Sequence, residues 1–157
     1  YEILRCLVGS EMCIRDRKLY AEEMEKFGMI HGEYNYHNII MTKEGIATTN
    51  FEKFRRDIQV EDLYYFLRKV LEKSGWKIRL GDGMLNAYSA IHPLTGGEME
   101  YLKIRLIYPE KFWKTANSYY CTNKAWISVK NIEKLQTAIR QTEEKKMFLK
   151  EVFGFEL

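Results

Sequence analysis

A polar loop, His31-Gly32-Glu33-Tyr34-Asn35-Tyr36-His37-Asn38, sets the first condition on any fold open to this chain, because elements of different period lie on its two sides. Before it, Lys18–Phe27 carries Leu19, Met24 and Phe27 at helical spacing among charges, and Gly28 ends the run. After it, Ile39-Ile40-Met41 and Ile46–Phe51 flank Thr42-Lys43-Glu44-Gly45, a turn closing on glycine, and so read as a β-hairpin. Val60–Lys73 is then a strongly amphipathic helix, with Leu63, Phe66, Leu67, Val70 and Leu71 on one face and Ser74-Gly75 as its end. Further helices are predicted over Met84–Ile91, entered through Gly81-Asp82-Gly83, over Glu98–Tyr108, closed by Pro109, and over Glu110–Tyr120. Asn131–Phe153 reads as one long terminal helix carrying Ile132, Leu135, Ile139, Phe148, Leu149 and Val152. The expected fold class is α+β, mainly α, with a small hairpin near the start and no internal repeat or low-complexity linker.

Composition limits the function classes. With 157 residues and 46% hydrophobic content, the chain can bury one real core. The net charge of +3 comes from basic and acidic residues interleaved throughout, so no nucleic-acid footprint is expected. No apolar run approaches the ~20 residues of a membrane span. The order of basic start, apolar stretch and small-residue cleavage site that marks a secretory leader is not found. Cys6, Cys13 and Cys121 form no CxxC pair, a usage that suits a reducing cytosol.

Tyr1–Arg17 is expected to stand outside the folded unit. Leu7–Asp16 reads LVGSEMCIRD, codon for codon the translation of a transposase sequencing adapter, and Tyr1-Glu2 continues the match upstream. Such a segment is set aside from fold reasoning as a tag would be. The native domain is then 18–157.

The loop's chemistry lies in its spacing. Phosphoryl transfer needs a carboxylate to orient the attacking hydroxyl and, five residues on, an amide oxygen for a metal. Glu33 and Asn38 keep that spacing. A hairpin should follow and end in a metal-binding carboxylate; here it ends at Asn50, with Phe51 and Glu52 after it. The next helix should open on an acid, and Asp62 lies in the first turn of Val60–Lys73.

This order of HG(D/E)-x4-N, hairpin, (D/N)F and D-L at a helix start resembles the aminoglycoside phosphotransferase and choline kinase superfamily. IHGEYNYHNIIM, DLYYFLRKVLEK, YPEKFWKTANSYY and NKAWISVKNIEKL, in that order, are most similar to the CotS-type spore coat proteins of endospore formers. The resemblance covers Lys18–Leu157. It implies the C-terminal lobe of a protein-kinase-like fold, with an N-terminal lobe carrying the nucleotide lysine expected upstream. It implies Glu33 at the catalytic-base position, Asn38 and Asn50 at the magnesium positions, and His31 and Asp62 as supports of the loop. ATP and magnesium are the cofactors an active site would use; no nucleotide-binding residue is identifiable in the chain itself. Other spore coat proteins are the implied partners, with synthesis in the mother cell and residence in the coat.

Two departures from the pattern weigh against catalysis. Glu33 stands where aspartate is usual, and its extra methylene moves the carboxylate by roughly an ångström, a displacement that can cost on the order of a hundredfold in rate. Asn50 offers an oxygen without charge, whereas magnesium normally rests on one or two carboxylates. Glu52 is a further carboxylate close in sequence. The expectation is a structural or scaffolding coat protein on a degenerate kinase-like fold, inactive as this fragment; the alternative is an active ATP- and magnesium-dependent phosphotransferase acting on a hydroxyl group.

Simpler roles compete at several positions. The commoner role for an acid placed like Asp62 is a plain helix cap. His37 and His92 are not spaced as a metal pair. Tyr108, Phe112, Trp113, Tyr119, Tyr120 and Trp126 are expected to be buried core, rather than an aromatic box for a quaternary ammonium ion.

Overall fold

The loop and the hairpin belong to one excursion of the chain, pinched shut at its base. In the computed structural model, which describes residues 17–22, 25, 28–120 and 128–155, Met29–Ile30 (β1) pairs antiparallel with Arg55–Arg56 (β4). The Asp57 N–H donates to the Gly28 carbonyl at 3.2 Å and extends the clamp. Between these strands run the polar loop, a short 3-10 turn at Tyr36–Asn38, and the hairpin of Ile39–Thr42 (β2) and Gly45–Thr48 (β3). The hairpin register sets Ile39 opposite Thr48 and Met41 opposite Ile46, so the turn closes at Lys43-Glu44 as the sequence indicates. A second 3-10 turn at Phe51–Lys53 leads back to β4.

After β4 the described chain continues in six helices: α1 (Val60–Ser74), α2 (Ile78–Ile91), α3 (Gly96–Ile107), α4 (Glu110–Tyr120), α5 (Val129–Arg140) and α6 (Thr142–Phe153). Helix α1 buries the stripe of Leu63, Tyr64, Leu67 and Leu71, and stops where Gly75 turns left-handed at φ 69°. That stripe packs on Leu102 and Leu106 of α3 and on Phe148 and Leu149 of α6, with Trp76 and Leu85 completing the core. Residues 17–22 are helical and place Leu19 against the same core. No helix among the described residues is long and apolar enough to cross a membrane.

Three expectations are corrected. Helix α2 begins at Ile78, so Gly81-Asp82-Gly83 lies inside it rather than before it. Gly81 is there for packing: a Cβ at that position would sit 2.3 Å from the Phe148 ring. The terminal segment is two helices, broken at Gln141, where φ is −88° and ψ is 7°. Helix α5 packs on α4, whereas α6 packs on α2 and α3, and one straight helix cannot serve both directions. The Gln141 side chain anchors the corner by donating to the Glu72 carbonyl at 3.1 Å. The aromatic group does not form the core: Phe112, Trp113 and Tyr120 are exposed and Tyr108 is half-buried. Helix α4 instead turns Glu110 and Thr115 inward. Met24, Phe27, Trp126, the three cysteines, Tyr1–Asp16 and the Tyr119 side chain lie outside what is described.

Glu110 is inward because buried charge links α4 to the core. Its carboxylate accepts from the Tyr64 hydroxyl at 2.6 Å, pairs with Lys114, and has Arg68 Nε 3.2 Å away, off the angle of a hydrogen bond. Burial works to raise the Glu110 carboxyl, but Arg68 and the hydrogen bonds from Lys114 and Tyr64 outweigh it and hold it below the usual range. A second buried carboxylate, Glu61, takes the Tyr101 hydroxyl and Arg105 from α3. The Arg105 guanidinium then lies 4.6 Å from the centre of the Tyr64 ring and joins the two clusters.

Candidate active site

Asp62 fixes the polar loop from behind. One carboxylate oxygen accepts the His31 backbone N–H at 2.6 Å and the other accepts that of Gly32 at 3.0 Å. Both oxygens therefore serve the loop, and the cap position of α1 falls to Gln59, whose side chain makes no capping bond. Charge-assisted bonds to two successive amides are stronger than neutral ones and hold a backbone path as well as a residue. Gly32 suits that path twice over. Its φ is +80°, and a Cβ would lie 2.4 Å from the Lys53 carbonyl oxygen.

His31 is buried and ties the loop to the far end of the hairpin. Its Nε2 lies 2.8 Å from the Thr49 carbonyl, which only accepts, and its Nδ1 accepts the Glu33 N–H at 3.2 Å. The two contacts select the neutral tautomer with its proton on Nε2. The ring packs on Phe51 at 4.7 Å and on Tyr34 at 5.9 Å, and Tyr34 in turn meets Phe66 of α1 at 5.6 Å.

Glu33, Asn38 and Asn50 come together in front of that frame. The Glu33 carbonyl accepts the side-chain amides of Asn35 at 2.8 Å and Asn38 at 2.9 Å. Asn35 also caps the Tyr36–Asn38 turn by accepting from the His37 N–H at 2.9 Å. With its amide nitrogen on Glu33, Asn38 turns its oxygen towards Asn50, whose Nδ2 lies 3.5 Å away. Asn50 sits in the left-handed region at φ 65°, which asparagine tolerates better than most residues. The Thr49 N–H donates to the Asn38 carbonyl at 2.9 Å and closes the hairpin end onto the loop.

The Glu33 carboxylate pairs with Lys53, a partner the sequence reading missed. The hydrogen bond from Lys53 holds the Glu33 carboxyl below its ordinary range and raises the lysine in return. The only sequence signal was a lysine shortly after Asn50; the pairing comes from the 3-10 turn that folds Phe51–Lys53 against Gly32. Glu52 and His37 are exposed, and the His37 ring stacks on Tyr36 at 4.3 Å. His92 lies 3.6 Å from Glu98, away from the loop.

A helical domain in which an acid at a helix start braces an HG-E-x4-N loop, with a hairpin returning an asparagine to that loop, has the architecture of a kinase-like phosphotransferase fold. The crystal structure of an aminoglycoside phosphotransferase from Alicyclobacillus acidocaldarius superposes on 89% of this chain with a TM-score of 0.81, at 20% sequence identity. Residues 17–152 match the family described as spore coat putative kinase YutH, and the chain belongs to that family. It is also 36% identical over 95 residues to spore coat protein S of Bacillus subtilis. That match takes in 59% of this chain and 27% of the relative, and the superposition takes in 42% of the phosphotransferase, so the chain spans less than half of either.

Proposed function

We propose that this protein is a structural component of the spore coat in which the kinase-like loop serves as architecture rather than as a catalyst. The observation that carries this reading is the state of the loop's oxygens. The Glu33 carboxylate is committed to Lys53, and the oxygen Asn38 presents faces the amide of Asn50. A resident magnesium rests on one or two carboxylates. Two neutral amides, beside a carboxylate already paired with a lysine, do not fit that donor set. The family's description and spore coat protein S support residence in the coat; synthesis in the mother cell and contact with other coat proteins belong to the proposal. Residues 18–157 are read as the C-terminal lobe of the kinase-like domain, with Tyr1–Arg17 outside it.

A second reading, phosphoryl transfer from ATP to a hydroxyl group, draws on the Asp62 brace and on the retained spacing of Glu33 and Asn38. One pair of measurements separates the two. The full-length protein, with the N-terminal lobe expected upstream, is assayed for magnesium-dependent release of ADP, and a fluorescent fusion is followed into the coat of sporulating cells. We expect no turnover above that of Asn38→Ala, and coat retention unchanged in a Glu33→Ala, Asn38→Ala double variant. Turnover that disappears with Asn38→Ala would restore the enzyme reading, and loss of retention in a double variant that still folds would tie the coat role to the chemistry of those two side chains rather than to the fold.

A further inference from the structure

A cavity of about 280 Å³ opens between α1, α3, α4, α5 and α6, and none of the loop residues 31–38 or 49–53 lines it. Its walls are largely apolar, with Trp76, Leu106, Leu135, Ile139 and Leu149 among them. Charge enters from three helices. From α1, Arg68 lies 2.9 Å from Glu72, and its Nε is 3.2 Å from Glu110 of α4, so this cation is answered by two acids. Lys111 also lines the cavity from α4. From α6 come Lys146, paired with Glu143 at 3.3 Å, and Lys145.

Lys145 differs from the others. Its Nζ donates to the Ile107 carbonyl at 3.2 Å and lies 5.3 Å from the centre of the Trp76 ring, and both partners are neutral. Among the described residues no carboxylate lies within ion-pair distance of it. A half-buried ammonium with no described acid in ion-pair range carries a desolvation cost that a bound anion would offset. Burial, with help from Arg68 and against the pull of Glu72, lowers it to about 8, so it remains mostly charged at neutral pH.

We propose that this cavity is a binding site for a small monocarboxylate with an apolar body, its carboxylate on Lys145 and its body against Trp76, Leu135 and Ile139. A carboxylate is selected at Lys145 because both partners of that ammonium are neutral, and Lys111 in the same wall adds further positive charge that favours an anion. A cavity of about 280 Å³ has room for a small acid of about ten heavy atoms, near the lower end of the ~300–1,000 Å³ of small-molecule sites. Mostly apolar walls with charged side chains at fixed points suit a ligand that has an apolar body and one charged end. The site is independent of the loop and stands whether or not the loop transfers phosphate.

Sodium octanoate and its neutral counterpart octanol, titrated calorimetrically into the intact chain at pH 7, test this. Octanoate should saturate one site at least about tenfold tighter than octanol. Lys145→Met should erase that difference while leaving octanol unchanged, and Ala138→Trp, which fills the cavity, should abolish both. Raising the pH well above 8 should weaken octanoate and spare octanol. Equal affinity for the two probes on the unaltered chain, full octanoate affinity in Lys145→Met, or no saturable binding would each overturn the proposal. The comparison on the unaltered chain decides the matter even if a variant fails to fold.

Discussion

Two residues do work that their types alone do not announce. Asp62 satisfies two backbone N–H groups that would otherwise face a part-buried region without partners. Each such group left unsatisfied costs about 1–3 kcal/mol, so Asp62→Ala, which strands two, should lower stability by roughly 2–6 kcal/mol in urea unfolding. Asp62→Asn keeps one acceptor and should lose less. A change under about 0.5 kcal/mol for the alanine variant, the range of an ordinary surface site, would mean that the loop is held by other contacts. Lys145 acts in the opposite sense. Burial brings its pKa in the fold, about 8, below the 10.5 of an unburied lysine. Between those values the unfolded chain binds more protons, so stability should be level below pH 8 and rise with pH towards 10.5. Lys145→Met should abolish that rise and stabilise the fold at pH 7 by up to roughly 3 kcal/mol, at about 1.4 kcal/mol per tenfold. A flat stability profile from pH 8 to 10 in the unaltered chain would refute the burial argument.

Among the elements, Gly81 shows how a helix interior can require glycine. Alanine usually stabilises a helix relative to glycine by about 1 kcal/mol. Here its Cβ would meet the fully buried Phe148 ring, so Gly81→Ala should destabilise by about 1–3 kcal/mol, the cost of overpacking. A thermal midpoint equal to or above the parent would show that the ring moves aside. The same glycine explains why the sequence misplaced the start of α2: local propensity favours a break there, and only the distant Phe148 reverses it. What was legible depended on near neighbours. The hairpin, α1 and the order of loop, hairpin and helix follow from turn residues and periodicity. The break at Gln141, the β1–β4 clamp and the Glu33–Lys53 pair depend on which distant elements meet, and periodicity is silent on that. The aromatic group of α4 misled for a related reason. Size suggested burial, but the inward face was chosen by Glu110, whose partners Tyr64 and Arg68 lie on another helix. At the candidate site, His31, Glu33, Asn38, Asn50 and Asp62 could be picked out by motif spacing, while the way Asn38 and Glu33 are engaged could not.

For the molecule as a whole, the sharpest question is where the folded unit starts. Leu7–Asp16 is proposed to be adapter-derived, and the family match begins at residue 17. Leu19, by contrast, is only 8% exposed and belongs to the core formed by α1, α3 and α6. It also lies in contact range of Gly97 at the start of α3, where an added Cβ would be 3.7 Å from its Cδ1. The boundary of consequence therefore falls within a few residues, and two changes on either side of it should behave oppositely. Deleting Tyr1–Asp16 should leave the thermal midpoint unchanged within error. Leu19→Ala in the full chain should cost about 2–3 kcal/mol, the lower part of the range for a buried leucine, because the first helical turn can relax into the gap. If the deletion lowers the midpoint by several degrees, those residues are integrated in the fold and the adapter reading is wrong. If Leu19→Ala is silent, the folded unit starts later, at the β1–β4 clamp, and the helix before it is an appendage.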